Sequence, residues 1–259
     1  MGTKRSHPRH HAEVLRFAVM EGATTWTYDE VARSESERGE VVLRRRRPGE
    51  PSRVAAADPE DDPGVLELRV NGVFVMDTRE TTTEQELARA ALDRVDDPRD
   101  VLVGGLGLGY TVREVLTDRR VERLVVVEVE PALVRWMRDG TVPHGPSFLA
   151  DARLRVVEAD LLEAVQEASP DSFDLVLLDV DNGPGHLVHD SNSGVYRSPF
   201  LRQVAAMLRT GGALVVWSAA EADDLAETLE EVFGAVARVP LPVRLQGREE
   251  HYWLYLARR

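Results

Sequence analysis

From Thr83 onward, short apolar runs alternate with stretches of helical period, and this alternation constrains the fold more than any other feature of the chain. Leu87, Ala90, Ala91 and Arg94 mark the face of a first helix, because residues three and four apart share one side of an α-helix. Strands are predicted at residues 101–103, 123–127, 154–157, 175–178 and 213–217, with helices starting near Tyr110, Pro131, Leu161, Tyr196 and Glu221. A helix between two strands returns the chain to the same edge, so such strands pair in parallel. The last two strands, 235–239 and 252–257, are joined by a short connection without a helix, so one of them runs antiparallel. The expected fold class is α/β, with a seven-stranded sheet that ends in a C-terminal antiparallel β-hairpin.

The first eighty residues have a different grammar. Segments 11–20, 24–31, 40–45, 65–70 and 73–77 are rich in β-branched and aromatic residues, which suit a pleated surface. Asn71-Gly72 between two of them is a hairpin signal, since both residues tolerate positive φ. Residues 48–64 are dense in Pro, Asp and Glu and read as an exposed loop. The expected division is a small β-rich N-terminal domain over 1–80 and the α/β domain over 81–259. The formal net charge of −13 argues against a nucleic-acid partner, which normally demands a basic surface. Arg44 to Arg47, the local exception, reads as a solvated strand end or turn among Glu37, Glu40 and Glu50. The chain has no cysteine, which excludes disulfides and thiolate metal sites. No apolar run approaches the roughly 20 residues that cross a bilayer, and the basic start is not followed by a cleavable apolar stretch. A cytoplasmic protein acting on small molecules, without nucleic-acid or membrane partners, is expected.

The first strand of the α/β domain runs into Val103-Gly104-Gly105-Leu106-Gly107-Leu108-Gly109-Tyr110-Thr111. Glycines let the backbone turn sharply against a ligand, and the helix that follows presents its positive end. A tight turn with no ligand would use the same residues. Two further acids sharpen the reading. Glu128 ends the second strand, where a carboxylate can accept both ribose hydroxyls of an adenosine ligand. Asp160, before Leu161, follows the third, where it can take the adenine amino group, cap the next helix, or do both. A nicotinamide or flavin site wants a small residue where Tyr110 stands, and a nucleoside-triphosphate site wants a Gly-Lys-Ser/Thr ending that is absent. After the fourth strand, Leu177-Leu178-Asp179-Val180-Asp181-Asn182-Gly183-Pro184-Gly185-His186 forms a polar loop. Asp179 is placed to orient or deprotonate a nucleophile, since an amine attacks only when neutral. The bland alternative is that Asp179 caps the loop and Asp181 is solvated.

Between about residues 65 and 217 the chain resembles the polyamine aminopropyltransferases, the spermidine synthase family of the class I S-adenosylmethionine-dependent methyltransferase superfamily. The matching pieces are Arg69-Val70-Asn71-Gly72-Val73, the glycine loop running into Thr111-Val112-Arg113-Glu114-Val115-Leu116, Val127-Glu128-Val129-Glu130, Ala159-Asp160 and the Asp179 loop. The resemblance implies a Rossmann-like methyltransferase sheet, S-adenosylmethionine or its decarboxylated form as cofactor, a small-molecule acceptor and a homodimer. It implies Glu128 and Asp160 as the ribose and adenine ligands and Asp179 as the catalytic acid. Gly105, Leu106, Gly107, Leu108, Gly109, Val129 and Leu161 complete the cofactor contacts.

Departures from the family follow. Leu108 replaces an aspartate that grips the aminopropyl ammonium, Glu84-Gln85 replaces a tyrosine-histidine pair, Val75 replaces a glutamine, and Asn182 replaces a second loop aspartate, with Asp181 displaced by one. Leucine cannot bind a cation and does not repel the α-carboxylate of intact S-adenosylmethionine. The pattern therefore leans towards methyl transfer, with aminopropyl transfer to putrescine as the first alternative and a non-catalytic cofactor-binding or scaffold protein as the second. Glu84, Gln85, Asp181, Asn182 and Tyr196 are the candidate acceptor contacts. Thr81 to Glu84 reads first as a helix cap, and Tyr196 and Trp217 read first as packing. His186 and His189 read as a mobile lid, without the acidic companions of a metal site.

Overall fold

The computed structural model describes residues 16–21, 24–48, 64–180, 183–185, 187, 190–245 and 248–259. The N-terminal part is an antiparallel sheet of β1 (Arg16–Glu21), β2 (Thr24–Ser36), β3 (Gly39–Pro48), β4 (Val65–Val70) and β5 (Val73–Asp77), ordered as in the chain. Asn71 and Gly72 adopt φ of 51° and 77°, the left-handed pair that a two-residue hairpin turn requires. Asn71 also pins the neighbouring turn: its backbone N–H donates to the Glu40 carbonyl (2.8 Å), its Oδ1 accepts from the Glu40 amide (2.9 Å), and its Nδ2 donates to the Arg38 carbonyl (3.2 Å).

The arginine row does not lie in a turn or a solvated strand end. Arg44 to Arg47 continue β3, where all four are partly buried. Arg44 pairs with Glu67 at 2.7 Å and lies over the Tyr28 ring, and Arg46 pairs with Asp77 at 3.5 Å over Trp26. Acids of β4 and β5 and aromatic faces of β2 offset the charge that the linear sequence leaves bare.

The second sheet contains β6 (Asp100–Gly104), β7 (Arg123–Glu128), β8 (Leu154–Glu158), β9 (Phe173–Leu178), β10 (Leu208–Ser218), β11 (Val236–Leu245) and β12 (Arg248–Arg258), in the order β11-β12-β10-β9-β6-β7-β8. β12 pairs antiparallel with both β10 and β11, and the other pairings are parallel. This is the expected α/β sheet with its C-terminal hairpin. Successive side chains of the central strands enter opposite cores: Val101, Val103, Leu175, Leu177 and Val215 face one, and Leu102, Val176, Leu178, Leu214 and Val216 the other. Burial on both faces is why these strands read as continuous apolar runs.

Helices α1 (Thr82–Leu92), α2 (Tyr110–Thr117) and α3 (Pro131–Asp139) cover the first face together with Val41, Leu43, Leu66, Leu68 and Met76 of the N-terminal sheet. After the short α4 (Gly145–Leu149), α5 (Leu161–Glu167), α6 (Ser198–Met207) and α7 (Asp223–Phe233) cover the second. Two helix starts move from their expected places. Asp190–Tyr196 is a 3₁₀ turn, and α6 begins only after Arg197, with Pro199 in its first turn, a position that tolerates the missing N–H. α7 starts at Asp223 because Ala222 is still extended.

Candidate active site

The connections diverge between β6, which leads to β7 and β8 on one side, and β9, which leads to β10 on the other. Open α/β sheets bind ligands at the carboxyl ends of strands at such a point. The glycine loop leaves β6 there, with Gly105, Gly107 and Gly109 at φ of 95°, 50° and 86°. Gly105 lies against the Asp179 carbonyl, so a Cβ at this position would collide with that oxygen. The Asp179 amide in turn donates to the Gly104 carbonyl at 2.9 Å, which ties the two strand-end loops together.

Glu128 is buried at the end of β7 and accepts two backbone amides, Leu106 N–H on Oε2 and Glu130 N–H on Oε1, each at 2.8 Å. Burial pushes its carboxyl above the usual range while those amides pull it down. It thus shapes the glycine loop, and each oxygen retains a second lone pair for a hydroxyl donor. Asp160 caps α5 by accepting the Leu162 amide on Oδ1 at 2.8 Å, which leaves Oδ2 at 3.6 Å from Arg38.

Asp179 accepts the Thr111 hydroxyl on Oδ2 at 2.6 Å. Burial raises its pKa to about 6, against the lowering effect of that hydrogen bond. Thr111 Oγ1 also lies 3.4 Å from the Glu84 carbonyl, so α1, α2 and the end of β9 meet at one side chain. Glu84 is buried and accepts the Thr83 hydroxyl on Oε2 at 2.9 Å. Desolvation first, and then the charge of Asp179, raise its pKa to about 7. Tyr252 is pushed up to about 12, chiefly by burial and then by Glu84, and its ring meets Trp217 edge-on at 4.9 Å.

These loops floor a cleft of about 860 Å³ of empty space, counted to its open mouth. Of the expected site residues, Gly105, Gly107, Glu128, Val129, Asp160, Leu161 and Asp179 line it. Leu106 and Leu108 do not: both side chains are buried in the core. The Leu108 amide donates to Met76 Sδ at 3.1 Å and its carbonyl meets His144 Nε2 at 2.8 Å. Its side chain therefore packs instead of facing a ligand, and Gly109 packs against Met137 and Phe148. Gln85 turns back to the Thr81 hydroxyl, and Tyr196 is buried with its hydroxyl on the Val180 carbonyl at 2.6 Å. Asp181, Asn182, His186 and His189 lie outside the described residues. Among the described residues no group of three or more His, Asp or Glu is arranged to hold a metal ion, and no helix is long and apolar enough to cross a membrane.

The N-terminal sheet roofs the site. Val41, Leu68, Val70 and Val75 of the N-terminal sheet, with Arg38 at its β2–β3 turn, complete the cleft. Val70 carried a signal as part of the family-like Arg69 to Val73 stretch and Val75 as a departure from the family, whereas Val41, Leu68 and Arg38 carried none.

The family model described as the spermine/spermidine synthase domain matches residues 69–232. The chain belongs to that family. It is 32% identical over 168 residues to polyamine aminopropyltransferase 2 of Pseudomonas aeruginosa, a match that covers 61% of this chain and 46% of the relative. It is 30% identical over 182 residues to polyamine aminopropyltransferase 1 of Hyperthermus butylicus, covering 66% and 61%. The chain thus spans about half the length of the curated relatives it matches. Among solved structures, the fold is similar to spermidine synthase from Thermotoga maritima (TM-score 0.72, 16% identity, 99% of this chain and 82% of that one). It is equally similar to a spermidine synthase in complex with the transition-state analogue AdoDATO (TM-score 0.72, 16% identity, 99% and 83%). This family membership carries the α/β architecture of the sheet and its β-rich companion.

Proposed function

We propose that this family member transfers an aminopropyl group from decarboxylated S-adenosylmethionine to a small amine. The observation that carries the reading is the buried Asp179 carboxylate, which lines the cleft beside the glycine loop, is held on the Thr111 hydroxyl at 2.6 Å and bears by its charge on the buried Glu84. The activity named for the relatives supports aminopropyl transfer over the methyl transfer that Leu108 suggested. The core position of Leu108 weakens that suggestion further, because this side chain bears on neither the ammonium nor the carboxylate of a donor. Glu84 lies outside the residues that line the cleft, so the negative charge it adds to the site acts at a distance.

Glu128, with a free lone pair on each oxygen, accepts the ribose hydroxyls, and Asp160 Oδ2 accepts the amino group of the base. Asp179 orients the acceptor and takes its proton. The amine lone pair forms a bond to the aminopropyl carbon, the carbon–sulfur bond breaks with its electron pair going to sulfur, and methylthioadenosine leaves as a neutral thioether. Holding the nitrogen and that carbon in line contributes most of the acceleration. The two-part division at residue 80, with the β-rich part roofing the site, belongs to the same proposal.

Incubation with decarboxylated S-adenosylmethionine and a panel of di- and polyamines tests it. Methylthioadenosine and an amine heavier by one aminopropyl group are expected. Release of S-adenosylhomocysteine from intact S-adenosylmethionine would favour methyl transfer, and binding of either donor without turnover would favour a scaffold.

A further inference from the structure

We propose that Arg38 is a donor-recognition residue whose planar guanidinium closes over the adenine end of the cleft. The inference rests on the adenosine reading above. Arg38 sits in the β2–β3 turn, and its backbone is held by Asn71 of the next hairpin. From there the side chain crosses to the strand ends of the other sheet. Nε lies 3.6 Å from Glu130 Oε1, Nη1 3.6 Å from Asp160 Oδ2, and Nη2 donates to Asn192 Oδ1 at 3.3 Å.

These contacts are loose. Charge-assisted bonds close to about 2.7–2.9 Å, as Arg44 does on Glu67 at 2.7 Å. The Arg38 guanidinium is instead suspended among three acceptors, Glu130, Asp160 and Asn192, at 3.3–3.6 Å. None of these contacts closes to that distance, so a purely structural clamp is a poor account of the arrangement. A purine offers ring nitrogens that accept and a face on which a guanidinium plane stacks.

Charge points the same way. Arg38 is the one cation among the described residues that line the cleft, against the carboxylates of Glu128, Glu130, Asp160 and Asp179. It stands over Glu130 and Asp160, while the other end of the roof touches the glycine loop, where Met76 Sδ accepts the Leu108 amide. The guanidinium thus offsets part of the carboxylate charge of Glu130 and Asp160 at the end where the proposal places the neutral base of the donor.

Calorimetry with methylthioadenosine, which has the adenosine but no cationic tail, tests this on wild type, Arg38→Ala and Arg38→Lys. Both variants are expected to keep the wild-type thermal midpoint yet bind about tenfold or more weakly, because lysine retains the charge but not the plane. Affinity within about twofold of wild type in Arg38→Ala, or full recovery in Arg38→Lys, overturns the proposal and leaves the donor assignment standing. A wild-type chain that binds no methylthioadenosine overturns both.

Discussion

The Thr111 hydroxyl donates to Asp179 Oδ2 at 2.6 Å, and that bond opposes the burial that raises the Asp179 carboxyl to about 6. Thr111→Val removes the donor while nearly keeping the shape. A hydrogen bond to a charged group contributes about 1.5–3 kcal/mol, so the acidic limb of the pH–rate profile is expected to move up by about one to two pH units. An unmoved limb would show that Thr111 does not hold Asp179 in its ionised form.

Asp179→Asn keeps the size and polarity of the side chain and removes its ability to accept a proton. Affinity for decarboxylated S-adenosylmethionine is expected to stay within about a factor of ten while transfer is lost. Undiminished turnover in this variant would remove Asp179 from the proton-accepting role.

Glu84 makes stability depend on pH. Its folded pKa of about 7 lies above the ordinary 4.5, so between those values the folded chain holds a proton that the unfolded chain has lost. Stability from this group is complete at low pH and falls as pH rises from about 4.5 through 7, whereas that from Asp179, raised from 3.8 to about 6, is lost over a lower window. Glu84→Gln is expected to be more stable than wild type at pH 8 by roughly 1–3 kcal/mol, with no such margin at pH 4. Denaturant unfolding at the two pH values measures this, and equal margins would sink it. The groups whose charge bears on Glu84 are Asp179 and Glu80, and Tyr252 feels Glu84 in return.

The proposed donor makes the same titration visible in binding. Ionised Asp179, with the charge of Glu84 nearby, is expected to attract the tail ammonium of decarboxylated S-adenosylmethionine and to raise its affinity severalfold between pH 6 and pH 8. Methylthioadenosine, which lacks that tail, is the control. Parallel pH dependence of the two ligands in calorimetry would remove the acid pair from tail binding.

Gly105→Ala tests the junction of the two loops. The position combines φ of 95° with a Cβ that would strike the Asp179 carbonyl. Backbone strain and overpacking together are expected to cost roughly 2–4 kcal/mol and to abolish methylthioadenosine binding. A thermal midpoint and affinity equal to wild type would contradict the close approach.

Much of this was legible residue by residue. β4 and β5 occupy the expected positions because Asn71-Gly72 sets a two-residue turn between two β-rich runs. α2, α3 and α5 start where they were expected because each follows a strand end marked by glycine or an acid. Glu128, Asp160 and Asp179 could be picked out because strand–loop–helix order brings consecutive strand ends to one edge of the sheet. α6 was placed too early because Tyr196 closes a 3₁₀ turn held on the Val180 carbonyl, and that bond has no local signature.

By itself, then, the sequence determined the alternating α/β order, the closing hairpin, the glycine loop and the acids at its strand ends. All of these follow from periodicity and turn chemistry within a few residues. Only the tertiary structure decided which way those residues face. It turned Leu108 into the core, because its amide and carbonyl are taken by Met76 and His144. It set the Thr111 hydroxyl between the Glu84 main-chain carbonyl and the Asp179 carboxylate, and it brought Glu84 within reach of Asp179's charge. It also carried Arg38 across from a separate sheet, a contact set by how two sheets pack and not by any pattern along the chain.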